Sequence, residues 1–453
     1  MSASDKTRAK EAQPLIAAAS RGLKGDVRVP GDKSISHRAL MLGLLAAGET
    51  HITGLLEGAD VLATARVMGQ LGAVVSRDGA GEWRIHGRGI GALGEPGDIL
   101  DFENSGTSCR LTLGMLATHP ITAHLTGDAS LRSRPMERVL KPLAQIGAVA
   151  HSRDGKLPIF IEGTATGLPI TYDMPVASAQ VKSAILLAAL NVAGETTVIE
   201  KVATRDHTER MLKHFGADVR TEIINGRPHI RVVGQPELKL QRVDVPGDPS
   251  SAAFLLVAAL ITPDSKVVVR DVLMNEGRTG LFTTLREMGA NLRVLNEHDA
   301  GGERVADLEA STSALKGVHV PAERSASMID EYPILAVAAA CAEGKTQMEG
   351  LEELRVKESD RLSAIANGLR ACGVAVTEGE TSLSVGGRGA KSVQGGGTVL
   401  THMDHRIAMS FLTLGLAAKS PVRVDDGRMI ATSFPTYVDL MTSLGAALQL
   451  ANR

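Results

Sequence analysis

Six Gly-Ala or closely related dipeptides recur along this chain, each where an apolar helical pattern gives way to a strand pattern: Gly72-Ala73, Gly147-Ala148, Gly216-Ala217, Gly289-Ala290, Gly373-Val374 and Gly445-Ala446. Their spacing of roughly 70 to 80 residues marks one supersecondary unit copied six times. A longer period lies on top of it, because Val29-Pro30-Gly31-Asp32 returns three copies later as Val245-Pro246-Gly247-Asp248. The pattern predicts an α/β (α+β) protein of two domains with three copies in each. The shared residues are Gly, Ala and aliphatic, whereas the polar set that opens each copy's first helix differs from copy to copy. Those differences are where chemistry can reside.

At 453 residues the chain exceeds one ordinary core, which agrees with two domains. One Trp, three Tyr and seven Phe within 43% hydrophobic residues leave an interior of Ala, Leu, Val, Ile and Met, suited to helix-on-sheet packing. A formal charge of −2 without a basic stripe argues against a nucleic-acid or membrane-surface binder, so any bound anion must be held locally. Cys109, Cys341 and Cys372 lack metal-ligand spacing and fit free thiols in a reducing cytoplasm. Residues 1–20 carry Asp5, Lys6, Arg8, Lys10 and Glu11 around no continuous apolar stretch and read as a flexible tail. No apolar run reaches the length of a membrane span.

In the first copy the pattern predicts a strand at 27–29, a Pro-Gly-Asp turn, a helix over 34–47 ended by Gly48, a strand over 50–55, an amphipathic helix over 59–71, and strands at 73–77 and 83–86. The unit is βαβαββ. Opening helices that are apolar on nearly all sides, such as 184–190 and 334–340, should be buried. The domains are expected to be residues 32–243, and residues 21–31 with 244–453, with an active site in the cleft between them. Each opening helix starts in a polar cluster, and helix N-termini carry unpaired N–H groups and partial positive charge. Converging helix starts would trap anions.

The first cluster is Asp32-Lys33-Ser34-Ile35-Ser36-His37-Arg38, whose two cations and hydroxyls suit a phosphate, although Ser34 alone could be a plain helix cap. The second is Asn104-Ser105-Gly106-Thr107-Ser108-Cys109-Arg110, followed by Leu131-Arg132-Ser133-Arg134-Pro135, with arginines suited to bidentate recognition. The third gives Ser178-Ala179-Gln180-Val181-Lys182 and Thr204-Arg205-Asp206-His207. The fourth, Asp248-Pro249-Ser250-Ser251, has no cation and is assigned a structural role. The fifth is the sharpest: Asp330-Glu331, then Arg355-Val356-Lys357-Glu358-Ser359-Asp360-Arg361, where a carboxylate among cations could carry a proton. The sixth is Asp404-His405-Arg406.

Taken together, the segments 31–38, 104–110, 355–361 and 404–406 closely resemble the 5-enolpyruvylshikimate-3-phosphate synthase family, in order from about residue 25 to about residue 445. The resemblance implies the enolpyruvyl transferase fold, an inside-out α/β barrel in each domain, and transfer of the enolpyruvyl group of phosphoenolpyruvate to the 5-hydroxyl of shikimate 3-phosphate. It implies that Lys33, Ser34, Arg38, Ser178, Ala179, Gln180, Arg205, Asp330 and Lys357 hold shikimate 3-phosphate. Lys33, Gly106, Arg134, Gln180, Arg361 and Arg406 would hold phosphoenolpyruvate. Glu358 is expected to donate the proton to C3 and Asp330 to accept the hydroxyl proton, with Lys33 and Lys357 stabilising charge or Lys33 sharing the proton work. Neither metal nor cofactor is called for, and a cytoplasmic monomer that closes around its substrates is expected.

The chain departs from the family where many members carry Ala-Lys-Thr-Phe-Pro: it reads Ala431-Thr432-Ser433-Phe434-Pro435, without the cation. Segment 328–333, Met-Ile-Asp-Glu-Tyr-Pro, resembles the glyphosate-tolerant subgroup. Tolerant members often carry Ala where this chain has Gly106, so glyphosate is expected to fit the phosphoenolpyruvate pocket. Two rivals are the sister transferase acting on UDP-N-acetylglucosamine, which would need a loop cysteine as acid, and a non-catalytic repeat scaffold.

Overall fold

The computed structural model describes residues 12–239 and 241–451. The chain divides into two compact units. One comprises residues 31–246 with the short segment Asp299–Glu303, and the other, among the described residues, 12–30, 247–298 and 304–451. The segment 299–303 was expected in the second domain; it is the turn between the strands Asn291–Ala300 and Glu303–Ser311 and groups with the first unit.

Each unit contains three four-stranded sheets among its described residues, and every sheet repeats one order. A short opening strand lies parallel to the second, which pairs antiparallel with a third that is itself antiparallel to the fourth, as in Leu100–Asp101, Thr122–Thr126, Lys156–Glu162 and Val149–Arg153; in five sheets the last two form a hairpin. The opening strands of the second, fifth and sixth copies are only two residues long.

Two strand assignments differ from the sequence expectation. The strand Lys24–Arg28 does not open the first copy; it runs parallel to Lys266–Leu273 in the fourth copy's sheet. Arg242–Asp244 takes its place beside Ala47–Thr53. The two stretches precede the same Val-Pro-Gly-Asp string, so local pattern cannot say which sheet each joins. The second difference concerns the expected tail. Leu15–Ala18 is a strand held antiparallel between Val422–Val424 and Ala447–Leu450, completing the sixth sheet. Leu15 and Ala17 are buried there, an alternation masked in sequence by the charges that precede it. Residues 1–11 lie outside the described residues.

The first unit's opening helices are Lys33–Leu45, Gly106–Ala117 and Ala179–Ala189; the second unit's are Pro249–Ile261, Tyr332–Ala340 and His405–Gly415. All thirteen residues of Pro249–Ile261 and all nine of Tyr332–Ala340 are buried. Small residues let the helices meet: a Cβ placed on Gly114 would come within 2.2 Å of Ala184 O. The first helix stops at Leu45, and Gly48, at φ 110°, sits in the strand Ala47–Thr53 rather than ending the helix.

Candidate functional site

Five of the six opening helices are capped by a side chain one residue ahead: Asp32, Ser105, Ser178, Asp248 and Asp404 each accept from a first-turn N–H. Because Asp32 takes the cap by accepting from Ile35 N at 2.8 Å, Ser34 does not serve as one. The fifth helix lacks a side-chain cap; Glu331, at its start, accepts from Ser250 Oγ and lies 3.5 Å from Arg406 Nη1. In the second unit the starts of all three opening helices are thus joined. The fourth copy's Asp248 and Ser250 also meet Arg278 Nη2, at 3.1 and 2.9 Å.

Within the first unit, Lys33 Nζ pairs with Asp60, whose side chain is nearly buried. Arg38 is also buried: Nε donates to Thr208 Oγ1 at 2.7 Å, Nη1 to Ser34 O at 2.9 Å and Nη2 to Ser183 Oγ at 2.8 Å. Among the described residues three of its five N–H groups find acceptors. Burial brings its pKa down to about 10 against the attraction of Glu209 and Asp32, and Arg205 is near enough to oppose its charge. Ser178 caps its helix and Arg205 is half-buried.

Gln180 joins the third copy to the second. It accepts from Arg110 Nη1 at 2.6 Å and donates to Thr107 Oγ1 at 2.9 Å. Arg134 donates through Nη2 to Asn104 Oδ1 at 2.8 Å and Ser130 Oγ at 3.0 Å. A Cβ on Gly106 would lie 3.2 Å from Nη1 of both Arg110 and Arg134. The first turn of Gly106–Ala117 therefore lies beneath two guanidinium groups, and helix dipole and cations act together on an anion.

In the second unit, Arg361 lies at the centre of a cluster of carboxylates. It is 1% exposed. Its Nε donates to Asp404 Oδ2 at 2.7 Å, Nη1 to Asp330 Oδ1 at 3.1 Å and Nη2 to Glu358 Oε2 at 2.5 Å. Lys357 Nζ stands 3.8 Å from the same Asp330 oxygen, and Arg406 Nη1 donates to Asp330 O at 3.1 Å. Burial, the largest influence, opposes charge on Asp404, but the attraction and hydrogen bond of Arg361 with the help of His405 hold that carboxyl below the usual aspartate range. Asp360 caps the helix Arg361–Ala371, and Thr432 lies 3.4 Å from His405 Nδ1.

The structure brings Lys33, Ser34, Arg38, Gly106, Arg134, Ser178, Ala179, Gln180 and Arg205 into one unit, and Asp330, Lys357, Glu358, Arg361 and Arg406 into the other. Sequence reasoning gave no role to Asp60, and it assigned neither Asn104, Arg110 nor Asp404 to a substrate. Asp60 follows Gly58 at a helix start, where an acidic residue reads as a response to the helix dipole, and only the fold places Lys33 against it. Cys109 is buried inside its helix, and burial pushes the thiol up to about 12, which disqualifies it as an exposed loop acid. Asp206, His207 and Glu303 offer ligand atoms within 4.8 Å of one another, but Arg210 Nε, 2.8 Å from Asp206, already supplies the positive charge there.

The model of the EPSP synthase (3-phosphoshikimate 1-carboxyvinyltransferase) family matches residues 18–441. The chain belongs to that family. It is 60% identical over 439 residues to the 3-phosphoshikimate 1-carboxyvinyltransferase of Paramagnetospirillum magneticum, covering 96% of this chain and 98% of that one. To its counterpart in Parvibaculum lavamentivorans it is 59% identical over 438 residues, covering 96% and 97%. The EPSP synthase of Acinetobacter baumannii superposes with a TM-score of 0.87 at 44% identity, over 98% of this chain and all of the other. The enolpyruvyl transferase NikO of Streptomyces tendae, 19% identical with a TM-score of 0.76, shares the fold, so the enolpyruvyl transferase architecture extends to this chain.

Proposed function

We propose that this protein transfers the enolpyruvyl group of phosphoenolpyruvate to the 5-hydroxyl of shikimate 3-phosphate. The observation that carries the reading is the cluster in which Arg361 holds Asp330 and Glu358 beside Lys357, because the reaction needs one group to take a proton and another to give one. Asp330 accepts the proton of the 5-hydroxyl as its oxygen attacks C2 of phosphoenolpyruvate, and Glu358 delivers a proton to C3. The tetrahedral intermediate then loses phosphate with its C–O electron pair, and C3 returns a proton to restore the double bond. Lys33 and Lys357 stabilise the charge that develops.

Both substrates are polyanions, and their repulsion must be offset. A cation about 4 Å from a phosphate charge contributes roughly 4 kcal/mol per unit charge at an effective dielectric near 20. Lys33, Ser34, Arg38, Ser178, Ala179, Gln180, Arg205, Asp330 and Lys357 are assigned to shikimate 3-phosphate. Lys33, Gly106, Arg134, Gln180, Arg361 and Arg406 are assigned to phosphoenolpyruvate, with Arg361 also holding the two reacting carboxylates in place. Glyphosate competes at the phosphoenolpyruvate site, and the enzyme works as a cytoplasmic monomer.

The test is phosphate release from phosphoenolpyruvate, with and without shikimate 3-phosphate and with UDP-N-acetylglucosamine as the alternative acceptor. Release that depends on shikimate 3-phosphate alone supports the reading. Release with the nucleotide sugar, or none with either acceptor, overturns it.

A further inference from the structure

Lys182 is 1% exposed on the helix Ala179–Ala189 of the third copy, one turn beyond the capping Ser178. Its Nζ lies 3.1 Å from Glu200 Oε2 and 2.7 Å from Glu209 Oε1, both buried, and 3.4 Å from the carbonyl of Thr204. Glu200 also accepts from Thr204 Oγ1 at 2.5 Å. One ammonium therefore ties a helix, the residue that follows the strand Glu195–Ile199, and the first turn of the helix His207–His214. The loop between the two carboxylates, residues 201–206, carries Arg205. Thr208, next to Glu209, holds Arg38 Nε at 2.7 Å and lies 2.7 Å from Ser183 Oγ, next to Lys182.

A buried ion triad is an expensive way to fasten three segments, since well-packed apolar side chains of similar volume often serve stability as well or better. With all three groups ionised the triad carries one more negative than positive charge, and it stands behind two guanidinium groups that oppose each other. Glu209 gives Arg38 its largest electrostatic support, while Arg205 works against it. Among the described residues Glu209 Oε2 has no hydrogen-bond partner, and burial pushes the Glu209 carboxyl up against the pull of Lys182.

We propose that Lys182, with Glu200 and Glu209, is a positioning residue that fixes the Arg205 loop and Arg38 in the geometry that receives the phosphorylated acceptor substrate. It touches no substrate. It works by setting where the two guanidinium groups stand and by supplying the counter-charge that keeps both in place before an anion arrives. The inference rests on the assignment of Arg38 and Arg205 to shikimate 3-phosphate made above.

The test is the triple variant Lys182→Met/Glu200→Gln/Glu209→Gln, which removes the triad's charges together and leaves none buried alone. It is measured beside wild type, Arg205→Ala and the combination of both changes. The expected result is a folded protein whose KM for shikimate 3-phosphate rises at least about tenfold while that for phosphoenolpyruvate changes less than about threefold. In the Arg205→Ala background the triad change should raise that KM by less than it does in wild type, because the part of its effect that passes through Arg205 is gone and only the part through Arg38 remains. An anchor for folding alone would lower the melting temperature and leave both KM values unchanged in the folded protein, which overturns the inference. Should the triple variant fail to fold, Glu209→Gln alone, which leaves a neutral Lys182–Glu200 pair, carries the same KM comparison. If neither folds, the triad is a folding anchor and the inference falls. Wild type inactive with shikimate 3-phosphate would instead remove the reading beneath it.

Discussion

Arg361 Nε lies 2.7 Å from Asp404 Oδ2, with both side chains closed off from solvent. The pair joins the first turn of the helix Arg361–Ala371 to the cap of His405–Gly415, and Ser359 Oγ adds a donor to Asp404 at 3.1 Å. Arg361 is thereby fixed on its inner side and presents its remaining donors to Asp330 and Glu358. Removing one partner of a buried charge pair leaves the other uncompensated, typically at a cost of about 3–5 kcal/mol. Asp404→Asn retains the shape and a capping oxygen, so denaturant unfolding should report a loss of about that size together with lower kcat/KM. Unchanged stability would show that Arg361 is satisfied without it. Since the folded pKa of Asp404 is depressed, its contribution is present above the unfolded value of about 3.9 and is lost as pH falls through the folded value.

Glu358→Gln keeps a group able to hydrogen-bond Arg361 but removes the exchangeable acid. Turnover should fall by about a hundredfold or more, with each KM within about threefold of wild type, as read by steady-state phosphate release. Near-normal kcat would take Glu358 out of the proton transfers.

Gly106→Ala places a methyl carbon 3.2 Å from Nη1 of both Arg110 and Arg134, closer than ordinary contact, so one guanidinium must yield by a few tenths of an ångström. The KM for phosphoenolpyruvate should rise severalfold, and inhibition by glyphosate should weaken by about tenfold or more, the scale on which one carbon discriminates in a filled pocket. Equal inhibition of both proteins would place glyphosate away from Gly106.

His37 is fully buried, with Nδ1 2.7 Å from Thr64 Oγ1. Burial first, then Lys33 and Arg38, hold its pKa well below 6.5. The unfolded chain therefore binds a proton that the folded one refuses. Stability from this group is full above about pH 6.5 and declines as pH falls, by up to about 1.4 kcal/mol per unit, until the folded value is reached. His37→Gln should flatten the slope between pH 6.5 and 5 relative to wild type in paired chemical-denaturation series. Parallel slopes would mean that His37 is protonated in the native state.

Gly-Ala spacing, the repeated Val-Pro-Gly-Asp string and the all-apolar runs made the six copies and their buried helices legible, because backbone geometry and burial act on nearby residues. Pro-Gly-Asp shows this at one position: a Cβ on Gly31 would meet Gly54 O at 2.0 Å, so the turn demands glycine. The polar helix starts were legible too, since Asp32, Ser105 and Ser178 cap and thereby leave Lys33, Gly106 and Gln180 at the first turn. Sequence alone could not say that Leu15–Ala18 closes the last sheet, that Lys24–Arg28 and Arg242–Asp244 exchange sheets, or that Lys182 meets Glu200 and Glu209. Each of those pairings joins residues whose local patterns fit several partners equally well. Only the packing of whole sheets and helices, which must satisfy every strand edge and every buried charge at once, selects among them.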